Sequence, residues 1–534
     1  MVYPLNYKEG VYSFCEYYPS NNDGGEKKIA IHLKNENNKV FDGGGGVFAF
    51  DDGVFPVVVD GCENITLRNF SIDYRHAQHA EGNIVYSAED GFICQPLRGF
   101  FMSIADGKLA VSAGGEQRVL DRIFGQVFDV VTKAPYKNQG SVSISFVPFG
   151  AQKKDDSGRV YAYLEQCSEG IFFHLKKEDA QNLAIPVGGR LTFKLYPRTE
   201  DVIFITNCKN IRLENIHIYR SPAMGVIAQA SENILLKNVN VGVKEGRSDL
   251  LSAVADATHF VNCKGRISME NCSFYNMMDD ACNIHGIYAK VVEVGQKSVK
   301  VRLMHAQQKG VLFVGKGDVV QFLSPEDCKE KLQLKASAAV LCEDKTCIIL
   351  SFQEDLTNVN VGDVVDNISA MPEVYIDHCR CGNNRPRGFL LTSGKKMEVK
   401  NCLFENSRSA IHVSSDMEQW YESGIVRELS IHDNHFKNCN YATGAAAITI
   451  YSPAKNGVCT HSNIRVWNNL VELDNAGFMD LYAVENVCVE GNTIRQRSGE
   501  KKSVEGVAVI LATDCKNVKI EKNIGLLKEQ VSLL

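Results

Sequence analysis

The chain has 534 residues, with 64 acidic against 58 basic side chains and a net charge of −6. That balance offers nothing to nucleic acid or an anionic membrane, and no apolar run is long enough to span a bilayer. So long a chain exceeds what one compact core usually supports, unless it is a solenoid whose coils pack only on their neighbours.

The opening MVYPLNYKEGVYSF lacks a basic stretch followed by an apolar one, so no signal peptide is visible. A cytoplasmic location and a leader already removed are the two readings of that start. KKIAIHLKNENNKVFDGGGGVFAF fits a first coil. Its glycine run, Gly43 to Gly46, lacks the Lys–Ser/Thr of a phosphate loop and reads as a tight turn.

A pattern Asn–apolar–x–apolar–x–Asn–apolar–x–apolar follows. It appears as NITLRNFSI from Asn64, NIRLENIHI from Asn210, NILLKNVNV from Asn233 and RISMENCSF from Arg266. Further copies are EVYIDHCRC from Glu373, KMEVKNCLF from Lys396, ELSIHDNHF from Glu428, NIRVWNNLV from Asn463, NVCVEGNTI from Asn486 and NVKIEKNI from Asn517. Alternating apolar residues signal strands, and the central Asn, tolerant of left-handed backbone angles, signals a bend between two of them. Strand, bend, strand at the length of one coil predicts an all-β fold, a right-handed parallel β-helix.

The repeat is interrupted twice, between about Arg75 and Arg198 and between Ile287 and Ile368. Short strands such as GSVSISFVPFG, GRLTFKLYP, KSVKVRL and TCIILSF there suggest two inserted small antiparallel β-barrels. The predicted divisions are N-terminal coils 1–80, a first barrel 81–200, catalytic coils 201–287, a second barrel 288–369 and C-terminal coils 370–534. The second insertion leaves just after the densest motif and is placed to wall a cleft. For the first, a cleft wall and a decorative or dimerising module are equally open readings, which leaves a homodimer open. The final LLKEQVSLL is expected to cover the last coil as a short helix.

Eighteen cysteines suggest a disulfide framework until they are placed. Cys272, Cys379 and Cys402 fall in one apolar slot of the repeat, which predicts a reduced, buried ladder. With no CxxC and no Cys/His cluster, no metal site is expected.

The chemistry concentrates in VADATHFVNCKGRISMENCSFYNMMDDACNIHG, Val254 to Gly286. Asp256 lies one coil before Asp279 and Asp280, so it is expected beside one or the other, with a bend bringing both to one cleft. Crowded carboxylates raise one another's pKa values and leave others ionised, the division of labour that glycoside hydrolysis needs. His259, Asn283 and His285 are adjoining candidates for substrate contact. Arg385 and Arg387 in NNRPRGFLL, with Asp416, Trp420 and Glu422 in SSDMEQWYESG, form a second constellation suited to stacking and forking onto a sugar.

The segments ADATHF, MMDDACNIHG, NNRPRGFLLT and WYESG resemble glycoside hydrolase family 110, the bacterial inverting α-1,3-galactosidases acting on blood-group-B-type glycans. The resemblance spans most of the chain. It implies a β-helix with two inserted barrels, a cofactor-free and metal-free exo-hydrolysis of terminal α-1,3-linked galactose, and Asp256, Asp279 and Asp280 as catalytic carboxylates. By analogy with pectin-hydrolysing β-helices, Asp279 is the acid and Asp256 and Asp280 hold the water. Relatives usually carry a secretion signal, which implies an extracellular or periplasmic enzyme. Two rivals remain open here. One is a β-helix hydrolase or lyase on another glycan, the lyase disfavoured because no Lys adjoins the acidic centre. The other is a non-catalytic glycan-binding solenoid.

Overall fold

The computed structural model describes residues 12–113, 117–148, 159–195, 198, 200–442, 446–474, 477–496 and 508–534, with the backbone of 2–3. Copies of the Asn pattern stack as parallel strands. Glu63–Tyr74, Lys209–Ile218 and Glu232–Val241 are neighbours, with Ile65, Ile211 and Ile234 in register. A second parallel sheet runs through Val54–Asp60, Ile203–Thr206, Val226–Gln229, Thr258–Val261 and Cys282–Ile287. Every second residue of a copy points inward, and Ile65, Leu67, Ile211, Leu213 and Leu236 are fully buried. The fold is a parallel β-helix, as the repeat required.

The central Asn residues do what their side chain allows. Asn69, Asn215 and Asn238 hold φ of 59°, 54° and 54°, cheap for Asn and costly for most others. Asn215 donates its amide to Asn69 at 3.0 Å and Asn238 to Asn215 at 2.8 Å, while Asn69 donates to Asp42. In the slot after the bend, Cys272, Cys379 and Cys402 stack, and Asn434 continues the column by accepting the Cys402 N–H at 2.9 Å. All eighteen cysteines are free thiols. Burial pushes the Cys272 and Cys379 thiols well up, so they are inert packing groups. In the glycine run, Gly44 and Gly45 take φ of 60° and 79°, where the pairing register shifts between Asp42 and Gly46.

Both interruptions fold as barrels. Seven described strands, from His79–Ala88 to Arg190–Lys194, close the first. It is antiparallel except for one parallel pair, Val142–Phe146 with Val160–Cys167. Six strands, from Ala289–Val294 to Val364–Asn367, close the second. The C-terminal cap differs from the expected helix. A short 3-10 turn, Lys528–Gln530, leads to a strand, Val531–Leu533, that pairs with Ile510–Thr513. The last coil presents unpaired backbone groups, which a strand satisfies and a helix does not.

Candidate active site

Thr258 pairs with Cys282 and Ala253 with Met277, so this coil is 24 residues long (282 − 258), one more than the 23 that separate the paired Ile211 and Ile234. The register therefore sets Asp256 against Asp280, whose N–H donates to Asp256 Oδ1 at 3.1 Å. The extra residue is taken up between Lys264 and Ile267, where the pairing with Glu232 and Ile234 shifts register, and the chain then makes a bend at Met278–Asp279. That bend brings both neighbouring aspartates to one side. Oxygens of Asp256, Asp279 and Asp280 lie within 4.8 Å of one another.

That is tighter than the separation of about 6.5–9.5 Å expected for an inverting pair. The cause is cationic. Lys194 Nζ lies 3.2 Å from Asp279 Oδ2, and Arg385 donates to Asp279 Oδ1 at 3.3 Å. Arg387 forks onto Asp280, Nε to Oδ1 at 3.0 Å and a terminal nitrogen to Oδ2 at 2.8 Å. Positive charge between the carboxylates removes the repulsion that would spread them. These oxygens form the one group with cation-binding spacing among the described residues. Lys194, Arg385 and Arg387 already neutralise them, which suits a proton-transfer centre, not a metal cage.

The same contacts separate the three pKa values. Burial, reinforced by the Asp279 charge, pushes Asp256 up to about 8. Burial also raises Asp280, to about 7, against the pull of Arg387. Burial acts on Asp279 too, but Lys194, Arg385, Arg198 and Arg387 together outweigh it and hold its carboxyl well below the usual range. Burial brings Lys194 down to about 7. Groups this close share their protons, so the trio titrates as one unit.

A cavity of about 700 Å³ opens over Asp279. Its floor is Asp279 with Arg385 and Arg387, and Phe124 and Lys194 of the first barrel form one wall. Arg408, His412, Trp420 and Tyr451 line it further along the coils. Trp420 is 37% exposed and packs on His305 of the second barrel, ring centroids 4.7 Å apart. Gln308 of that barrel donates to the Trp420 carbonyl at 2.9 Å.

Four expectations change. The first insertion, not the second, contributes residues to the cavity wall, because its last strand ends at Lys194 directly over Asp279; the second holds the Trp420 loop from behind. Asp416 is a turn group, since its carboxylate accepts the N–H groups of Glu418, Gln419 and Trp420. A lysine does adjoin the acidic centre, brought there by the barrel. Finally, His259, Asn283, His285 and Glu422 do not line the cavity. They are 1%, 4%, 2% and 8% exposed and hydrogen-bond among themselves behind Asp256. The N-terminal loop covers them, with Asn21 donating to Glu422 Oε1 at 2.7 Å.

Lys194, Phe124, Arg408, His412 and Tyr451 escape a reading of local motifs. Only Arg408 carries a signal, lying one coil beyond the Arg385–Arg387 pair, since Phe389 pairs with Ile411.

Residues 298–365, within the second barrel, match the family model described as GLAA-B beta-barrel domain II. Alpha-1,3-galactosidase A of Shewanella woodyi is 32% identical, the match covering 94% of this chain and 82% of that protein. Alpha-1,3-galactosidase B of Bacteroides thetaiotaomicron is 27% identical over 95% of this chain and 82% of the relative. An alpha-1,3-galactosidase B of Phocaeicola vulgatus is 30% identical over 81% and 74%.

Proposed function

The chain belongs to the α-1,3-galactosidases of glycoside hydrolase family 110, and we propose that it releases terminal α-1,3-linked galactose from B-antigen-type or linear galactosyl glycans, with inversion. The observation that carries this reading is the convergence of three carboxylates with separated pKa values beneath a sugar-sized cavity. Trp420 supplies an aromatic face and Arg385 and Arg387 a charged rim, the chemistry that holds a pyranose.

Asp279 lines the cavity and is the group within reach of the glycosidic oxygen, so it serves as the acid. Asp256 and Asp280 lie deeper and hold the water. One proton is shared. In the free site it rests on Asp256, and it passes to Asp279 as the departing oxygen, a far stronger base than that carboxylate, begins to take a proton from Asp279. Asp279 then protonates the leaving oxygen as the bond from C1 to that oxygen breaks. Water forms the new bond to C1 and returns its proton to Asp256, so the trio ends as it began.

An aryl α-galactoside and a B-type trisaccharide test the activity. Proton NMR of the first product should show β-galactose; α-galactose would mean that the 4.8 Å spacing supports retention and that the inversion reading falls. Lys194 keeps one rival testable, because a buried lysine near neutrality is a base suited to elimination. An unsaturated, ultraviolet-absorbing product from a uronate polymer would favour the lyase. Turnover should fall as pH rises through about 8, where Asp256 loses the shared proton. Trp420→Ala should raise KM by roughly five- to tenfold with kcat little changed, the cost of one aromatic contact. An unchanged KM would remove Trp420 from the binding site.

A further inference from the structure

Behind the trio, Asp256, His259 and His285 form a buried hydrogen-bonded line that ends against Glu422. Asp256 Oδ2 lies 2.6 Å from His259 Nδ1, and His259 Nε2 lies 2.9 Å from His285 Nε2. His285 Nδ1 lies 2.6 Å from the Gly286 carbonyl, and its Nε2 lies 3.6 Å from Glu422 Oε1. Glu422 is held by Asn21 and by Asn283. The mechanism above leaves these histidines without a role.

Their partners determine where the hydrogens sit. A carbonyl oxygen only accepts, so His285 carries its hydrogen on Nδ1. With both rings neutral, His285 Nε2 is then a lone pair and must accept from His259 Nε2–H. That leaves a lone pair on His259 Nδ1, aimed at Asp256 Oδ2. Two lone pairs at 2.6 Å repel, so the proton of this contact belongs to Asp256. A neutral pair is what the surroundings favour. Burial lowers His259 to about 4 and lowers His285 as well, although Glu422 pulls both upward.

Resting on the galactosidase reading, we propose that His285 locks His259 in its Nε2–H tautomer, and that His259 thereby makes Asp256 the carboxyl that recovers the proton from the attacking water. His259 and His285 are positioning residues, since neither lines the cavity. When Asp256 passes its proton to Asp279, the contact at 2.6 Å becomes lone pair against carboxylate. That unfavourable contact is relieved when water returns a proton to Asp256, so the relay strengthens the base when water is attacked. The other charges facing Asp256 and His259 are Asp279, Asp280, Glu422 and Arg198, with Arg387 behind Asp280. None of them touches His259 Nδ1 in place of Asp256.

The test removes the lock and leaves His259 in place. In His285→Phe a ring still fills the space but nothing accepts from His259 Nε2–H. His259 then becomes free to carry its hydrogen on Nδ1 and donate to an ionised Asp256. The alkaline limb of kcat/KM should then move to lower pH by about one unit or more, the usual effect of a hydrogen bond to the charged form. KM for an aryl α-galactoside should stay within about twofold, because the substituted residue does not line the cavity. Nitrogen-15 NMR of histidine-labelled protein should show His259 as Nε2–H in the unmodified enzyme and as Nδ1–H in H285F, assigned by loss of its signals in His259→Gln. A limb that stays in place while the tautomer changes would overturn the proposal, as would Nδ1–H at His259 in the unmodified protein. The NMR result is read without turnover, so failure of the galactosidase reading is distinguished by an inactive protein that still shows the Nε2–H tautomer.

Discussion

Asp279→Asn is expected to lower kcat about 10³-fold while the protein remains folded, the usual span for removing a positioned acid. The asparagine keeps the shape and a hydrogen-bonding oxygen but carries no proton that it can give to a leaving oxygen. Folding should survive because the flanking cations have other means of support. Lys194 already sits near pH 7 and neutralises readily. Arg385 keeps the Met278 carbonyl at 2.8 Å, Ser141 at 3.1 Å and the Phe124 ring at 4.8 Å. An aryl galactoside with a good leaving group should recover part of the loss, since it needs less protonation. Near-full activity in D279N on a natural glycan would remove Asp279 from the acid role.

Arg387→Met should damage both turnover and stability. Asp280 is 1% exposed and takes two side-chain donors and the backbone N–H of Arg387. Without the guanidinium, a buried carboxylate loses its counter-charge, and burial with Asp256 and Asp279 alongside drives it to the protonated form. The water then loses one of its acceptors, and kcat should fall at least about 10²-fold. Breaking a buried pair costs about 3–5 kcal/mol, and the lower end applies here because the Arg387 side chain keeps 35% of its surface in water. Denaturant unfolding measures that cost. Arg385→Met should cost less stability, since Asp279 keeps Lys194. Equal unfolding midpoints for R387M and the unmodified protein would show that the Arg387–Asp280 contact is not a stabilising pair.

The two predictions separate what local pattern carries from what it does not. Asp256, Asp279 and Asp280 were readable because coil spacing turns a distance along the chain into adjacency in space. The bend at Met278–Asp279 was readable as a need, since two consecutive residues cannot otherwise share a cleft. The partner of Asp256 was not settled, because one added residue in a coil changes the register without altering the apolar pattern on either side. His259 and His285 were visible as neighbours of the trio, but their burial depends on Asn21, more than 200 residues earlier, closing over Glu422.

By itself, the sequence determined the solenoid, the two interruptions, the cysteine column and the coil on which the acids meet. Each is a property of alternation and of Asn at a bend, and such properties act within a few residues. Contacts across the fold settle the rest: Lys194 stands over Asp279, Arg387 forks onto Asp280 and the first barrel walls the cavity. The two ion pairs join residues 85 and 107 apart and the contact of Arg385 with Phe124 joins residues 261 apart (385 − 124), and an ion pair leaves no periodic trace in the chain that forms it.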